Sequence, residues 1–185
     1  LIVKEYPTKS AGVETLRNHL ERLRQRDIFP NMIIVDYGDL LRAKSQKDEK
    51  RHQLESIYEE LRGLAQEFKC PIWTASQTNR GGLNAEVITM ESISEAFNKC
   101  FVADFIFSIS RTIQHKNTNG GRMFVAKNRN GPDGLVYPIF MDTANVKIEV
   151  LPQTETYNEI KQNEIKKQEE SLKEKYKNYR KKRNK

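Results

Sequence analysis

Asn31-Met32-Ile33-Ile34-Val35-Asp36-Tyr37-Gly38 is the stretch whose reading decides the fold. Four apolar residues run without a break from Met32 to Val35, and an acid, a tyrosine and a glycine follow. A short unbroken apolar run marks a strand buried on both faces, as in a parallel sheet with helices on either side. Asp36 stands where such a strand ends. In open α/β sheets that carboxyl edge is where ligands bind. Asp36 is therefore either a carboxylate with a task or a residue that stops a strand, and the stretch alone leaves both open.

On the N-terminal side, Leu1–Tyr6 reads as a short strand stopped by Pro7, with Ser10 placed to cap the next helix. Val13, Leu16, Leu20 and Leu23 then recur at helical spacing. On the C-terminal side, a polar loop from Ala43 to Glu49 leads into a long amphipathic helix over Lys50–Phe68. Its apolar face is Leu54, Ile57, Tyr58, Leu61, Leu64, Ala65 and Phe68. Pro71–Ser76 is a third strand with Gln77 at its end, and Thr78–Ala85 a loop carrying Arg80-Gly81-Gly82. Met90–Phe101 reads as a short helix and Phe105–Ser110 as a fourth strand. Arg122–Lys127 and Leu135–Met141 are strands around the turn 128–134, and Val146–Val150 is one more. Strands alternating with helices, then a run of strands, predict an α/β fold: a mostly parallel sheet with flanking helices and added antiparallel strands.

The chain has 185 residues, 37% of them hydrophobic and 31% charged, with a net charge of +7. From Asn158 to Lys185 eleven basic residues face five acidic ones, so the tail carries +6 of that charge and the body is close to neutral. The expected division is a body over 1–151 and a charged basic tail over 152–185, helical or partly disordered. The tail is a solvated helix or a basic arm for nucleic acid or a partner. Cys70 and Cys100 form no disulfide framework, and no Cys/His spacing suggests zinc. No stretch is apolar for the length of a membrane span, so the expected setting is cytoplasmic, away from membrane. The opening at Leu1, without a methionine, suggests a piece of something longer.

Four constellations could carry chemistry. Asp36 at a strand end can hold Mg²⁺ through its water shell, because Mg²⁺ takes hard oxygens and keeps several waters. Gln77 can donate to a phosphate oxygen and accept from a loop. Lys127 and Arg129, spaced i, i+2 before Gly131-Pro132, form a double-cation tip suited to the charge on a transferring phosphoryl group. Arg80-Gly81-Gly82 and Asn98-Lys99 lie in basic loops that could meet phosphates. Taken singly, each also has a plain reading as a strand end, a hairpin turn or a surface loop. No G-x-x-x-x-G-K-[ST] phosphate loop occurs in the chain.

Taken in order, the pieces over residues 1 to 150 resemble the C-terminal part of the RecA-like ATPase domain of DnaB-family hexameric replicative DNA helicases, of the bacteriophage type. Met32–Tyr37 resembles that family's Walker B strand. Thr74–Arg80 resembles its Ser-Gln-x-Asn-Arg motif, and Ala103-Asp104 with the strand to Arg111 the next segment. Lys127-Asn128-Arg129-Asn130-Gly131-Pro132-Asp133-Gly134 resembles its Lys-x-Arg-Asn-Gly-Pro-x-Gly signature. Two departures stand out. Asp39 occupies a position where the family has glutamine, and 94–99 lacks the family's glycine- and serine-rich DNA-loop composition.

The resemblance implies a homo-hexamer with Mg²⁺ and ATP between subunits, translocating on single-stranded DNA in a bacterial or phage-infected cell, with primase and a helicase loader as possible partners. It implies that Asp36 organises the Mg²⁺ and Gln77 senses the γ-phosphate. Arg129, with Lys127 beside it, would reach the neighbouring subunit's ATP. Arg80, Gly81, Gly82, Glu95, Asn98 and Lys99 would lie near the DNA. The phosphate-cradling segment is then expected before Leu1, and this stretch alone is expected not to hydrolyse ATP. A RecA-type recombinase ATPase, or a non-enzymatic DNA- or partner-binding module with a basic arm, are the alternatives.

Overall fold

The computed structural model describes the chain except for residues 46–48, 79–84, 91–98, 154, 155, 157, 161, 164, 167, 168, 171, 172 and 174–185. Two compact units emerge, one of Leu1–Leu83 with Ile88–Ile106, the other of Asn84–Val87 with Phe107–Lys185.

The first unit begins with helix α1 (Val13–Arg24). Its N-cap is Gly12, not Ser10. The Ser10 hydroxyl donates to the Pro7 carbonyl, while the Thr15 hydroxyl accepts from the Gly12 N–H. Strand β1 (Ile33–Val35) follows, then a 3-10 turn over Gly38–Leu40. Helix α2 (Lys50–Phe68) has the bounds its periodicity predicts and ends on Lys69 in the left-handed region at φ 51°. Strand β2 (Ile72–Thr74) runs parallel to β1, with Ile33 opposite Ile72 and Val35 opposite Thr74. Helix α3 (Lys99–Val102) closes the unit, and the rest of the helix expected from Met90 falls largely outside the described residues.

The core of this unit lies where α1 and α2 cover one face of the parallel pair. Leu20, Ile57, Leu61 and Leu64 are buried there, with Leu41 and Ala43 from the following loop and Ile33, Val35 and Ile72 packed against them. Burying each of the large side chains contributes about 2 kcal/mol. Two expectations fail. β1 is not buried on both faces: with a side-chain period of two, Ile33 and Val35 point into the core while Ile34 is 72% exposed. Leu1–Tyr6 is not a strand, because no described strand offers it a ladder; Tyr6 instead packs on the core.

Strand β3 (Phe105–Ser110) passes into the second unit from the first and opens a sheet of order β3-β4-β5-β6, with β4 (Gly120–Asn128), β5 (Val136–Asp142) and β6 (Lys147–Val150). In it β4, β5 and β6 pair antiparallel. β4 is longer than its hydrophobic pattern suggests, and β5 is shifted by one residue from the expected Leu135–Met141. Helix α4 (Ile113–Asn117) is one that the sequence pattern does not announce; Thr112 caps it, its hydroxyl accepting from the His115 N–H. Gly121 is required by close approach, since a Cβ there would lie 3.0 Å from Ile139 and from the Ser110 carbonyl. Phe124, Val136 and Ile160 form the core. Ile160 belongs to the basic tail, so at that residue the tail is docked rather than solvated: it is 3% exposed.

Candidate functional site

In the first unit, β1 and β2 are adjacent and parallel, so their carboxyl ends lie side by side. This brings Asp36 and Gln77 to one edge. Both are exposed. The Gln77 amide Nε2 donates to the Tyr37 hydroxyl at 3.0 Å, which joins the two strand ends across 40 residues of sequence. Beneath them the Thr74 hydroxyl works twice. It donates to the Val35 carbonyl at 2.9 Å and accepts from the Gly38 N–H at 2.8 Å. The 3-10 turn therefore starts from a fixed point. Gly38 is buried, and a Cβ there would meet Thr74 Oγ1 and the Tyr58 ring at 3.2 Å.

One residue further on, Asp39 sits in a network that the sequence pattern does not reveal. The Tyr58 hydroxyl donates to Asp39 Oδ1 at 2.7 Å. Lys99 Nζ pairs with Asp39 Oδ2 at 3.1 Å and lies 5.5 Å from the Tyr58 ring centroid. Lys9 Nζ donates to the main-chain carbonyls of Asp39 and Leu41 at 2.8 and 2.7 Å. Burial first, and the Asp39 carboxylate second, push the Tyr58 hydroxyl far above its ordinary range, so it stays a proton donor at neutral pH. The signal available in the sequence is Tyr58 itself: a tyrosine on the buried face of a helix needs a partner for its hydroxyl.

Lys99, expected among DNA-contacting residues, is thus 3% exposed, with its ammonium directed to Asp39. Arg80, Gly81, Gly82, Glu95 and Asn98 lie outside the described residues.

In the second unit, Lys127 is the penultimate residue of β4 and Arg129 follows its end. Arg129 is exposed and Lys127 half-buried. The turn between them and β5 is built by Asn128. Its Nδ2 donates to the Pro132 carbonyl at 3.2 Å and its Oδ1 accepts from the Asn130 N–H at 3.3 Å. Gly134, at φ 72°, then donates to the Val125 carbonyl at 2.8 Å. A residue with a Cβ would be strained there, which is why glycine occupies the position.

The donor set at the strand edge fits a hard cation held largely by water and by a ligand's own oxygens. Asp36 offers an exposed carboxylate. That matches Mg²⁺, which commonly takes one or two protein carboxylates and completes its shell with phosphates and water.

The model of the DnaB-like helicase C-terminal domain matches residues 1–147. The chain is 33% identical over 116 residues to the DnaB-like replicative helicase of Enterobacteria phage T4, covering 60% of this chain and 24% of that one. It is 28% identical over 145 residues to the replicative DNA helicase DnaC of Bacillus subtilis (strain 168), covering 75% and 32%. Among solved structures, a DnaB-like replicative helicase, described with its interactions with primase, superposes with a TM-score of 0.64 at 18% identity, over 72% of this chain and 33% of that one. A second solved chain, described as an ATPase domain, gives 0.69 at 18% identity, over 77% and 52%. These likenesses bear out the RecA-like α/β fold. The chain spans about a quarter to a third of the length of these curated relatives.

Proposed function

The chain belongs to the DnaB-like helicase C-terminal domain family, and from that premise we propose that it serves in an ATP-driven replicative DNA helicase that assembles as a ring and translocates on single-stranded DNA. In this reading Asp36 at the β1 edge would hold Mg²⁺ through its water shell, and the bound ion would supply positive charge against the nucleotide phosphates. Gln77 reads the γ-phosphate: one amide hydrogen is used on Tyr37, which leaves its other hydrogen and its carbonyl for the nucleotide and a neighbouring loop. Arg129, with Lys127 beside it, brings positive charge to the nucleotide of the adjacent subunit. Arg80, Gly81, Gly82, Glu95 and Asn98 are proposed to line the DNA path. A primase partner is a family-level expectation in line with the primase named for one structural neighbour.

The observation that carries this reading is the 3.0 Å bond between Gln77 and Tyr37 at the joined ends of two parallel strands. It supports the reading because it holds the Gln77 amide at the same strand edge as the Asp36 carboxylate, a pairing that a plain DNA-binding module does not need. The test is Arg129→Ala in the intact protein. DNA-stimulated ATP hydrolysis should fall about 10³-fold, as for other phosphoryl-transfer enzymes that lose an arginine acting in trans. Nucleotide affinity should change only a few-fold. Full hydrolysis by the variant would sink the assignment.

A further inference from the structure

Lys99 is a buried cation that none of the steps above uses. Its side chain is 3% exposed, and its ammonium lies 3.1 and 3.4 Å from the two carboxylate oxygens of Asp39, itself only 20% exposed. Removing an ammonium from water costs several kcal/mol, and pairing it with a carboxylate returns that cost only in good geometry. Here the carboxylate is oriented by the Tyr58 hydroxyl at 2.7 Å, and the ammonium also lies over the Tyr58 ring. A buried pair of this kind is weak as a source of stability. Its attested use is to fix one segment against another.

The two segments it fixes are informative. Asp39 lies in the 3-10 turn that starts at Gly38, three residues beyond Asp36 and two beyond the tyrosine that Gln77 holds. Lys99 opens α3 and, in sequence, directly follows 94–98. The pair therefore spans 60 residues between the strand edge and the end of that segment. Separating the partners would leave a buried ammonium without its counter-charge. A displacement of the 3-10 turn is consequently passed to Lys99 rather than absorbed.

We propose that the Asp39–Lys99 pair is a positioning link through which the nucleotide state of the Asp36–Gln77 edge sets the affinity for single-stranded DNA. The proposal rests on the helicase reading, in which that edge takes nucleotide and the residues before Lys99 take DNA. Asp39 and Lys99 touch neither ligand; they act through the segments they join.

The measurement is the dissociation constant of a fluorescent oligo-dT strand for the intact protein, by anisotropy, with ATPγS and with ADP. The ratio of the two constants reports coupling between the sites, and a simple loss of packing does not move it. Lys99→Met and Asp39→Asn should each bring the ratio at least about fivefold closer to one, within the usual range of coupling between sites. Lys99→Arg, which keeps the charge, should retain most of it. Thermal melting checks that each variant folds. If Lys99→Met does not fold, Tyr58→Phe, which deletes only the hydroxyl that orients Asp39, should lower the ratio to a smaller extent. Folded Lys99→Met and Asp39→Asn proteins with the wild-type ratio would overturn the link and leave the helicase reading standing. A wild-type protein that binds neither ATPγS nor the strand would overturn both.

Discussion

The edge at the ends of β1 and β2 and the turn between β4 and β5 carry different parts of the proposed chemistry, and they are held in opposite ways. At the edge, each brace reaches far along the chain: Gly38 to Thr74 across 36 residues, Gln77 to Tyr37 across 40, and Lys99 to Asp39 across 60. At the turn the braces that Asn128 makes are local, to Pro132 across four residues and from Asn130 across two. The edge is only as well formed as the unit around it. The turn takes its shape mainly from Asn128, Gly131 and Gly134. A group that must sense a ligand gains from being wired into the fold, and a group that is to reach another subunit gains from being rigid and self-contained.

The largest effect expected from this contrast concerns subunits. Asp36→Asn and Arg129→Ala should each reduce DNA-stimulated ATP hydrolysis of the intact protein about 10³-fold. If the edge and the turn act from different subunits, mixing the two inactive variants restores some sites. An Arg129→Ala subunit supplies Asp36, and an Asp36→Asn neighbour supplies Arg129. Random mixing in a ring with head-to-tail interfaces should return about a quarter of the wild-type rate. No recovery after subunit exchange would show that the two groups serve the same subunit's nucleotide, and the contrast would lose its functional meaning.

A smaller effect separates the two by stability. Leu64 is fully buried beneath the parallel pair. Leu64→Ala should cost about 3 kcal/mol, the middle of the range for such cavities, in urea unfolding followed by circular dichroism. Hydrogen exchange should speed up at Ile72–Thr74 and stay near wild type at Met123 and Phe124. Equal loss of protection at both places would mean that the turn leans on the first unit after all. Smaller again is Thr74→Val, which keeps the shape and deletes the hydroxyl that serves Gly38 and Val35. It leaves the buried Gly38 N–H without its acceptor, at a cost of about 2 kcal/mol. Asn128→Ala should cost about 1 kcal/mol, with changes in exchange confined to residues 128–134.

The same contrast accounts for what could be read from the sequence. The turn was legible because its residues carry their own instructions: Asn128, Gly131 and Gly134 each meet a local geometric need. The helix α2 was legible because its apolar period is long and regular. The adjacency of Asp36 and Gln77 followed from two apolar runs separated by one helix. The Asp39 network was not legible. Nothing local to Asp39 names Lys99 as its partner, and a lysine next to an asparagine reads as a surface cation until packing encloses it. The exposure of Ile34 was hidden as well, since an unbroken apolar run does not say which of its faces the described elements cover.

The smallest effect concerns another local brace. The basic tail enters its helix at Thr156, whose N–H and hydroxyl both donate to the Glu159 carboxylate, at 2.7 and 2.9 Å, while the Glu159 N–H donates back to the Thr156 hydroxyl. This is a capping box, which satisfies donors that a helix start leaves without intrahelical partners. Next to it, Ile160 is the tail's buried anchor. The bond from the Thr156 N–H, first, and that from its hydroxyl, second, hold the Glu159 carboxyl below the usual glutamate range. A carboxylate depressed in the folded state stabilises it fully above its unfolded pKa, and the contribution disappears as pH falls through the lower, folded value. The Ile160 methyl resonance should therefore shift toward its solvated position as pH falls below the ordinary glutamate value, with a midpoint below that of a free glutamate. Glu159→Gln should flatten that transition without moving the turn at Asn128. A midpoint at the free-glutamate value would mean that the box is open in solution, and Ile160 would then be held by packing alone.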